Sequence, residues 1–94
     1  LPMSDISIRR QHGKTRAEAR ASAEHMASEL QDEFDLDYVW DGDVMTFKRP
    51  GIVGELVLDK QEVTLDISLG LMLFALKPTI EREAHRFFDE NFPA

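Results

Sequence analysis

Cysteine is absent from the 94 residues of the chain, so neither a structural disulfide nor a thiolate metal site can form. Glycine and proline are scarce, with five and four residues, and no flexible linker or low-complexity segment divides the chain. This length favours a single domain over residues 1–94. Leu1 and Pro2 precede the first methionine, and we expect residues 1–3 to be a tag remnant or a disordered start.

Long hydrophobic runs are also missing from the chain. The longest apolar stretch is far shorter than the roughly 20 residues that span a bilayer. The first ten residues lack the apolar core of a signal peptide. We therefore expect a cytoplasmic protein with no transmembrane segment.

Basic residues are too few to balance the acidic ones, and the net charge is −7. This excess of acids disfavours nucleic acid as a partner, because phosphates attract basic proteins. Residues 21–47 carry eight acidic residues and no lysine or arginine, whereas residues 1–20 are net basic. This separation of acidic and basic residues along the chain predicts ion pairs within the fold. A bipolar surface that favours a homodimer is the alternative.

The chain does contain a regular alternation of apolar and polar residues, which is typical of half-buried strands. Ile6 and Ile8 predict a first strand over about residues 4–11. Gly54 lies inside the strand predicted at residues 52–58 and predicts a bulge there. The same alternation predicts further strands at residues 36–40, 43–47, 52–58 and 63–69.

Between the first two strands the sequence predicts a helix over about residues 16–34. Thr15 and Glu18 have the spacing of a capping box, in which each side chain bonds the backbone of the other. The apolar face of this helix begins with alanines and ends with Leu30 and Phe34. We therefore expect the helix to approach a sheet closely at its start and to span a wider gap at its end.

Asp41-Gly42 is a strong signal for a tight hairpin, because its turn needs positive φ angles. Folding the chain there pairs Tyr38 with Met45 and Leu36 with Phe47, so that all four side chains share one face of the sheet.

Pro78 fits the first turn of a second helix, and apolar residues recur at helical spacing from Ile80 to Asn91. The resulting order is β-α-β-β-β-β-α. Consecutive strands with short turns favour antiparallel neighbours. We therefore predict an α+β two-layer sandwich, with an antiparallel sheet of about five strands and two helices on one face.

Residues that could carry chemistry do not form a recognisable motif. No two of the histidines at positions 12, 25 and 85 have the helical spacing of a zinc site. Residues 32–43 are rich in acids, but Val39 stands where a calcium loop needs a ligand. No serine lies in a nucleophile motif. We therefore predict no catalytic residue, no metal site and no cofactor.

The most informative segment is the apolar run Leu69–Leu76. Neither a one-faced strand nor a one-faced helix can bury so many consecutive apolar side chains, so we expect some of them to meet a partner. Burial beneath the C-terminal helix and the wall of an apolar pocket are the alternatives. We assign the contact to Leu71, Met72, Leu73, Phe74 and Leu76.

A second candidate is an apolar ligand site between the sheet and a helix, as in a small carrier protein. Its predicted lining lies on two adjacent strands. A purely structural role in the core is the alternative for the same side chains. The side chains predicted to line this site are Tyr38, Trp40, Met45 and Phe47.

The chain resembles the polyhydroxyalkanoic acid system family of small bacterial proteins, also described as granule-region proteins. The resemblance rests on the order and spacing of several segments rather than on one motif. These are residues 5–12, the alanine-rich helix, residues 38–43, and the tail from Leu69-Gly70-Leu71 to Ile80-Glu81-Arg82-Glu83. The resemblance implies a link to storage polyester granules, but it implies no defined reaction and no catalytic residue.

We therefore expect a non-enzymatic accessory protein that associates with storage polyester granules, or with their proteins, through the apolar run. The first alternative is a carrier of a hydroxyacyl or other apolar ligand. The second is an enzyme that acts on hydroxyacyl substrates through His12 or His85 and a nearby carboxylate.

Overall fold

The computed structural model describes residues 4–93, and the predicted tag remnant or disordered start at residues 1–3 lies outside the described residues. Its elements are β1 (Ile6–Gln11), α1 (Arg16–Phe34), β2 (Asp37–Asp41), β3 (Val44–Arg49), β4 (Ile52–Leu58), β5 (Glu62–Leu69), a 3-10 helix (Leu71–Leu76) and α2 (Lys77–Asn91). The strands form one antiparallel sheet in the order β1-β5-β4-β3-β2. The predicted α+β fold, with five strands and two helices, is confirmed.

The core lies between one face of the sheet and the two helices. Along β5, the buried residues Val63, Leu65 and Ile67 alternate with half-exposed polar ones, as expected for a sheet covered on a single side. The helices contribute small residues from the first part of α1 and aromatic residues from α2. These buried helical side chains are Ala19, Ala23, Met26, Ala27, Ala84, Phe87 and Phe88.

The hairpin between β2 and β3 turns one residue later than predicted. Asp41 pairs with Val44, so Gly42 and Asp43 are the central residues of the turn. Gly42 has a φ of +62°, and a positive φ at the first central position is the requirement of a type II′ turn. The predicted pairing of Tyr38 with Met45 is therefore wrong, since Tyr38 pairs with Phe47. The shift is two positions along β3, so the predicted faces are unchanged.

The bulge predicted at Gly54 is also wrong. Gly54 pairs regularly with Phe47 on one side and with Ile67 on the other. A Cβ atom at Gly54 would lie only 2.2 Å from Cζ of the Phe47 ring. Glycine occupies this position because the aromatic ring of the neighbouring strand lies against its backbone.

The predicted capping box is present at the start of α1. The backbone N–H of Glu18 donates to Oγ1 of Thr15 at 3.2 Å, and the backbone N–H of Thr15 donates to Oε1 of Glu18 at 2.9 Å. The second bond lowers the pKa of Glu18, because it favours the charged carboxylate. At the other end of α1, Asp35 takes a left-handed conformation with a φ of +58°. The helix therefore ends at Phe34.

Opposite charges pair within the fold, as the charge separation along the chain predicts. Arg16 at the start of α1 donates to the carboxylate of Asp43 in the hairpin turn at 2.8 Å. Arg10 of β1 donates to Asp89 of α2 at 2.7 Å and lies 5.7 Å from the centroid of the Phe88 ring. These contacts hold α1 against the β2–β3 hairpin and α2 against β1, at opposite edges of the sheet. The homodimer that was the alternative stays a prediction.

Candidate functional site at an apolar turn and cavity

The 3-10 helix at Leu71–Leu76, hereafter the apolar turn, is fixed to the end of the sheet. The backbone N–H of Gly70 donates to the carbonyl of Gly51 in the β3–β4 turn at 2.7 Å. Gly51 has a φ of +87°, and a Cβ atom there would lie 2.8 Å from Cδ1 of Leu73. The apolar turn therefore rests on the β3–β4 turn, with Leu73 as the side chain that makes the contact.

The geometry of a 3-10 helix explains why Leu71 and Met72 face solvent. With about three residues per turn, side chains three apart lie one above the other. Leu73 faces the β3–β4 turn, whereas Leu71 and Met72 belong to the other two ridges and point away from it. Leu71 and Met72 are 94% and 92% exposed, and Phe74 and Leu76 are about half exposed. Burial beneath α2, one of the alternatives for this run, does not occur for Leu71 and Met72.

Next to the apolar turn, a cavity of about 110 Å³ lies between α1, α2 and the sheet. Its interior is lined by buried side chains of both layers, including Met26, Leu65, Ile67, Ala84 and Phe88. Its mouth is lined by half-buried side chains from the end of α1, the start of β4 and the start of α2. These are Leu30, Phe34, Ile52 and Ile80.

Two polar residues also contribute to the lining. Of the described residues that line the cavity, only Thr79 and Glu83 are polar, and both are at least partly exposed. Arg86 donates to Glu83 at 2.8 Å, and this bond lowers the pKa of Glu83. Thr79 and Glu83 line the cavity almost entirely through their carbon atoms, so the lining is apolar at the entrance as well as in the interior.

Of the four residues predicted to line an apolar ligand site, the structure brings one to this cavity. Phe47 lies in its lining, and Met45 is fully buried in the core. Tyr38 and Trp40 instead donate hydrogen bonds to the carboxylate of Glu24 on α1, Trp40 at 2.7 Å. The set Tyr38, Trp40, Met45 and Phe47 is thus divided between the cavity, the core and the edge of the sheet.

The edge formed by β2 and α1 is held by polar contacts around Glu24. The guanidinium of Arg20 lies 3.8 Å from the centroid of the Trp40 ring and donates to the carbonyl of Gly42 at 3.0 Å. The hydrogen bond that Tyr38 donates to Glu24 raises the pKa of the phenol, because it favours the neutral form. This arrangement fixes β2 against α1 and leaves the two aromatic rings engaged with the protein itself.

His12 and His25 contact other parts of the fold. His12 is buried, its Nε2 lies 3.0 Å from the carbonyl oxygen of Asp59, and its Nδ1 accepts from the backbone N–H of Lys14 at 3.3 Å. His25 of α1 is 68% exposed, and its Nδ1 lies 2.9 Å from Oδ1 of Asn91 on α2. His85 is exposed on α2. Both ring nitrogens of His12 are therefore engaged with backbone groups.

Within residues 4–93, no group of three or more histidine and acidic side chains is placed to hold a metal ion. None of the helices in this range has the length and apolar character that crossing a membrane requires.

Sequence reasoning identified the apolar turn but missed most of the cavity. Leu30 and Phe34 carried a signal, since the widening apolar face of α1 predicts a gap at its end. Ile52 and Ile80 carried none, because each belongs to an element whose place beside α1 depends on the whole sheet order.

The fold and the site define a class of small α+β two-layer sandwiches with an exposed apolar turn beside an apolar cavity. No curated protein and no solved structure matches the chain. Residues 6–92 match the family described as putative polyhydroxyalkanoic acid system protein. The chain belongs to this family, as its resemblance had indicated.

Proposed function

We propose that the protein is a non-enzymatic accessory protein of the polyhydroxyalkanoate system that acts in the cytoplasm at storage granules. The apolar turn would be the part that contacts the polyester, or a protein on its surface. Membership of the family supports the link to the polyester system. The observation that carries the proposal is the exposure of Leu71 and Met72, both above 90%.

The position of the apolar turn favours contact with an extended surface. Leu73 and the Gly70–Gly51 hydrogen bond hold its base, so Leu71 and Met72 project from an ordered support rather than from a free chain end. Covering apolar area contributes roughly 25 cal/mol per Å², and a support already in place reduces the entropy lost on binding. Met72 adds a flexible, polarisable side chain that adapts to irregular surfaces.

A non-enzymatic role fits the histidines that the enzyme alternative requires. His12 directs both ring nitrogens to backbone groups, which leaves neither free to exchange protons with a substrate. His85 is exposed on α2 and is not among the residues that line the cavity.

Sedimentation with bare polyester particles tests the proposal. The double variant Leu71→Gln/Met72→Gln should lose most of its binding to the particles, and its unfolding should match the parent within about 0.5 kcal/mol because both side chains are exposed. The matched control is Val39→Gln/Val53→Gln, which removes two exposed apolar side chains, 68% and 55% exposed, from the open face of the sheet. The control should bind like the parent.

Two results would contradict the proposal. One is equal binding of the parent and the Leu71→Gln/Met72→Gln variant. The other is a parent that does not bind particles but forms a dimer that the variant cannot form, since the apolar turn would then serve self-association. Sedimentation velocity on the same samples measures the dimer directly.

A further inference from the structure

The cavity arises because the two helices are offset along the sheet. They run antiparallel, because His25 of α1 contacts Asn91 of α2, whereas Phe34 at the end of α1 packs edge-on against Phe87, 6.4 Å between ring centroids. The residues of α2 before Phe87 therefore extend beyond the end of α1. At that end the sheet is covered by α2 and by a few side chains, and the space beside them stays unfilled.

The interior of the cavity is suited to hydrocarbon and not to water. A buried water needs about two to four polar partners, and an apolar cavity without them stays dry. The residues that line this cavity are aliphatic and aromatic except for Thr79 and Glu83, which contribute almost only carbon atoms to its surface. An occupant would therefore place apolar atoms inside and any polar atoms outside in solvent.

The volume sets the size of that occupant. An apolar cavity of about 150 Å³ accepts a benzene molecule, so by proportion 110 Å³ accommodates about four carbon atoms. The half-buried side chains Leu30, Ile52 and Ile80 leave the entrance partly open. The remainder of a longer molecule could therefore extend into solvent.

We propose that this cavity is a binding site for the end of one short aliphatic chain, about four carbons deep, whose polar end remains outside in solvent. The site goes beyond the proposed granule contact, since no residue of the apolar turn lies in its lining. The two sites can therefore be inactivated separately.

Titration with straight-chain primary alcohols, followed by NMR of the methyl groups, tests the site on the full chain. From 1-propanol to 1-pentanol the affinity should rise about fourfold per methylene group, which corresponds to about 0.8 kcal/mol for each buried methylene. It should level off for longer alcohols once the interior is filled. The shifts should centre on methyl groups of the lining, such as Leu65, Ile67 and Ile80.

A cavity-filling variant supplies the decisive comparison. Ala84→Leu places a larger side chain in the lining and should reduce the affinity for 1-pentanol at least tenfold. Ala21→Leu makes the same change on the exposed face of α1 and should leave the affinity unchanged. If Ala84→Leu does not fold by circular dichroism, Ile80→Phe at the mouth should narrow the entrance with the same effect.

Three results would overturn the inference. They are non-saturable shifts in the parent, equal affinity in a folded cavity-filled variant, and shifts centred on Leu71 and Met72. The granule proposal is tested independently in the same samples. The Leu71→Gln/Met72→Gln variant should retain alcohol binding, and Ala84→Leu should retain particle binding.

Discussion

The contact between Gly54 and Phe47 yields a prediction whose sign opposes local propensity. In the interior of a strand, alanine is ordinarily more favourable than glycine by roughly 0.5–1 kcal/mol. At Gly54 the added methyl group would lie 2.2 Å from Cζ and 2.3 Å from Cε2 of Phe47. Both distances are far below van der Waals contact, so the ring has to move.

The size of the effect follows from the burial of that ring. Phe47 is only 4% exposed and lies between neighbours on both adjacent strands. Forcing an extra methyl group into a packed core costs about 1–3 kcal/mol. Since this exceeds the gain from propensity, Gly54→Ala should reduce the free energy of unfolding by about 1–2 kcal/mol.

Urea denaturation followed by tryptophan fluorescence measures this change. Gly13→Ala is the matched control, because a Cβ atom at Gly13 meets nothing within 4 Å, and its stability should change little. In a Phe47→Leu background, Gly54→Ala should reduce the free energy of unfolding clearly less, because the aromatic ring that the methyl group would displace is absent. A Gly54→Ala variant as stable as the parent would refute the reasoning, as would the same cost in both backgrounds.

The remaining predictions concern caps, turns and pH. Thr15→Ala should reduce stability by about 1 kcal/mol in urea denaturation, through loss of the cap of α1. Gly42→Val should destabilise the protein more than Asp41→Asn, because Gly42 has a φ of +62°; equal effects would contradict the turn. The lowered pKa of Glu18 predicts that the parent is more stable than Glu18→Gln above pH 4.5 and loses this advantage as the pH falls through the folded-state pKa. The raised pKa of Tyr38 predicts an advantage over Tyr38→Phe that is present below pH 10 and declines above it.

The parts of the fold that are encoded locally could be predicted from the sequence. The capping box at Thr15 and Glu18 marks the start of α1, and strict alternation marks β5. The register of the β2–β3 hairpin could not be predicted, because a two-residue turn at Asp41-Gly42-Asp43 can place the glycine at either central position. The assignment of side chains to the two faces of the sheet is nevertheless correct, since alternation repeats every two residues.

Features that depend on contacts between distant parts of the chain could not be predicted from the sequence. Gly54 signals either a bulge or a close approach, and only the pairing with Phe47 decides between them. For the candidate site, the run Leu71–Leu76 is too apolar to be buried on one side, and its exposure follows from that. Leu73, however, lies against Gly51, so Leu71 and Met72 are better probes of the contact than Leu73.

The most direct test of the account is the oxidation of methionine by peroxide in the presence and absence of polyester particles, read by mass spectrometry. Met72 is 92% exposed, whereas Met26 and Met45 are at most 1% exposed, and oxidation follows exposure. Met72 should therefore oxidise rapidly in the free protein and become protected at saturating particle concentration, while Met26 and Met45 remain slow throughout. Equal oxidation of Met72 in the free and particle-bound protein would contradict contact through the apolar turn.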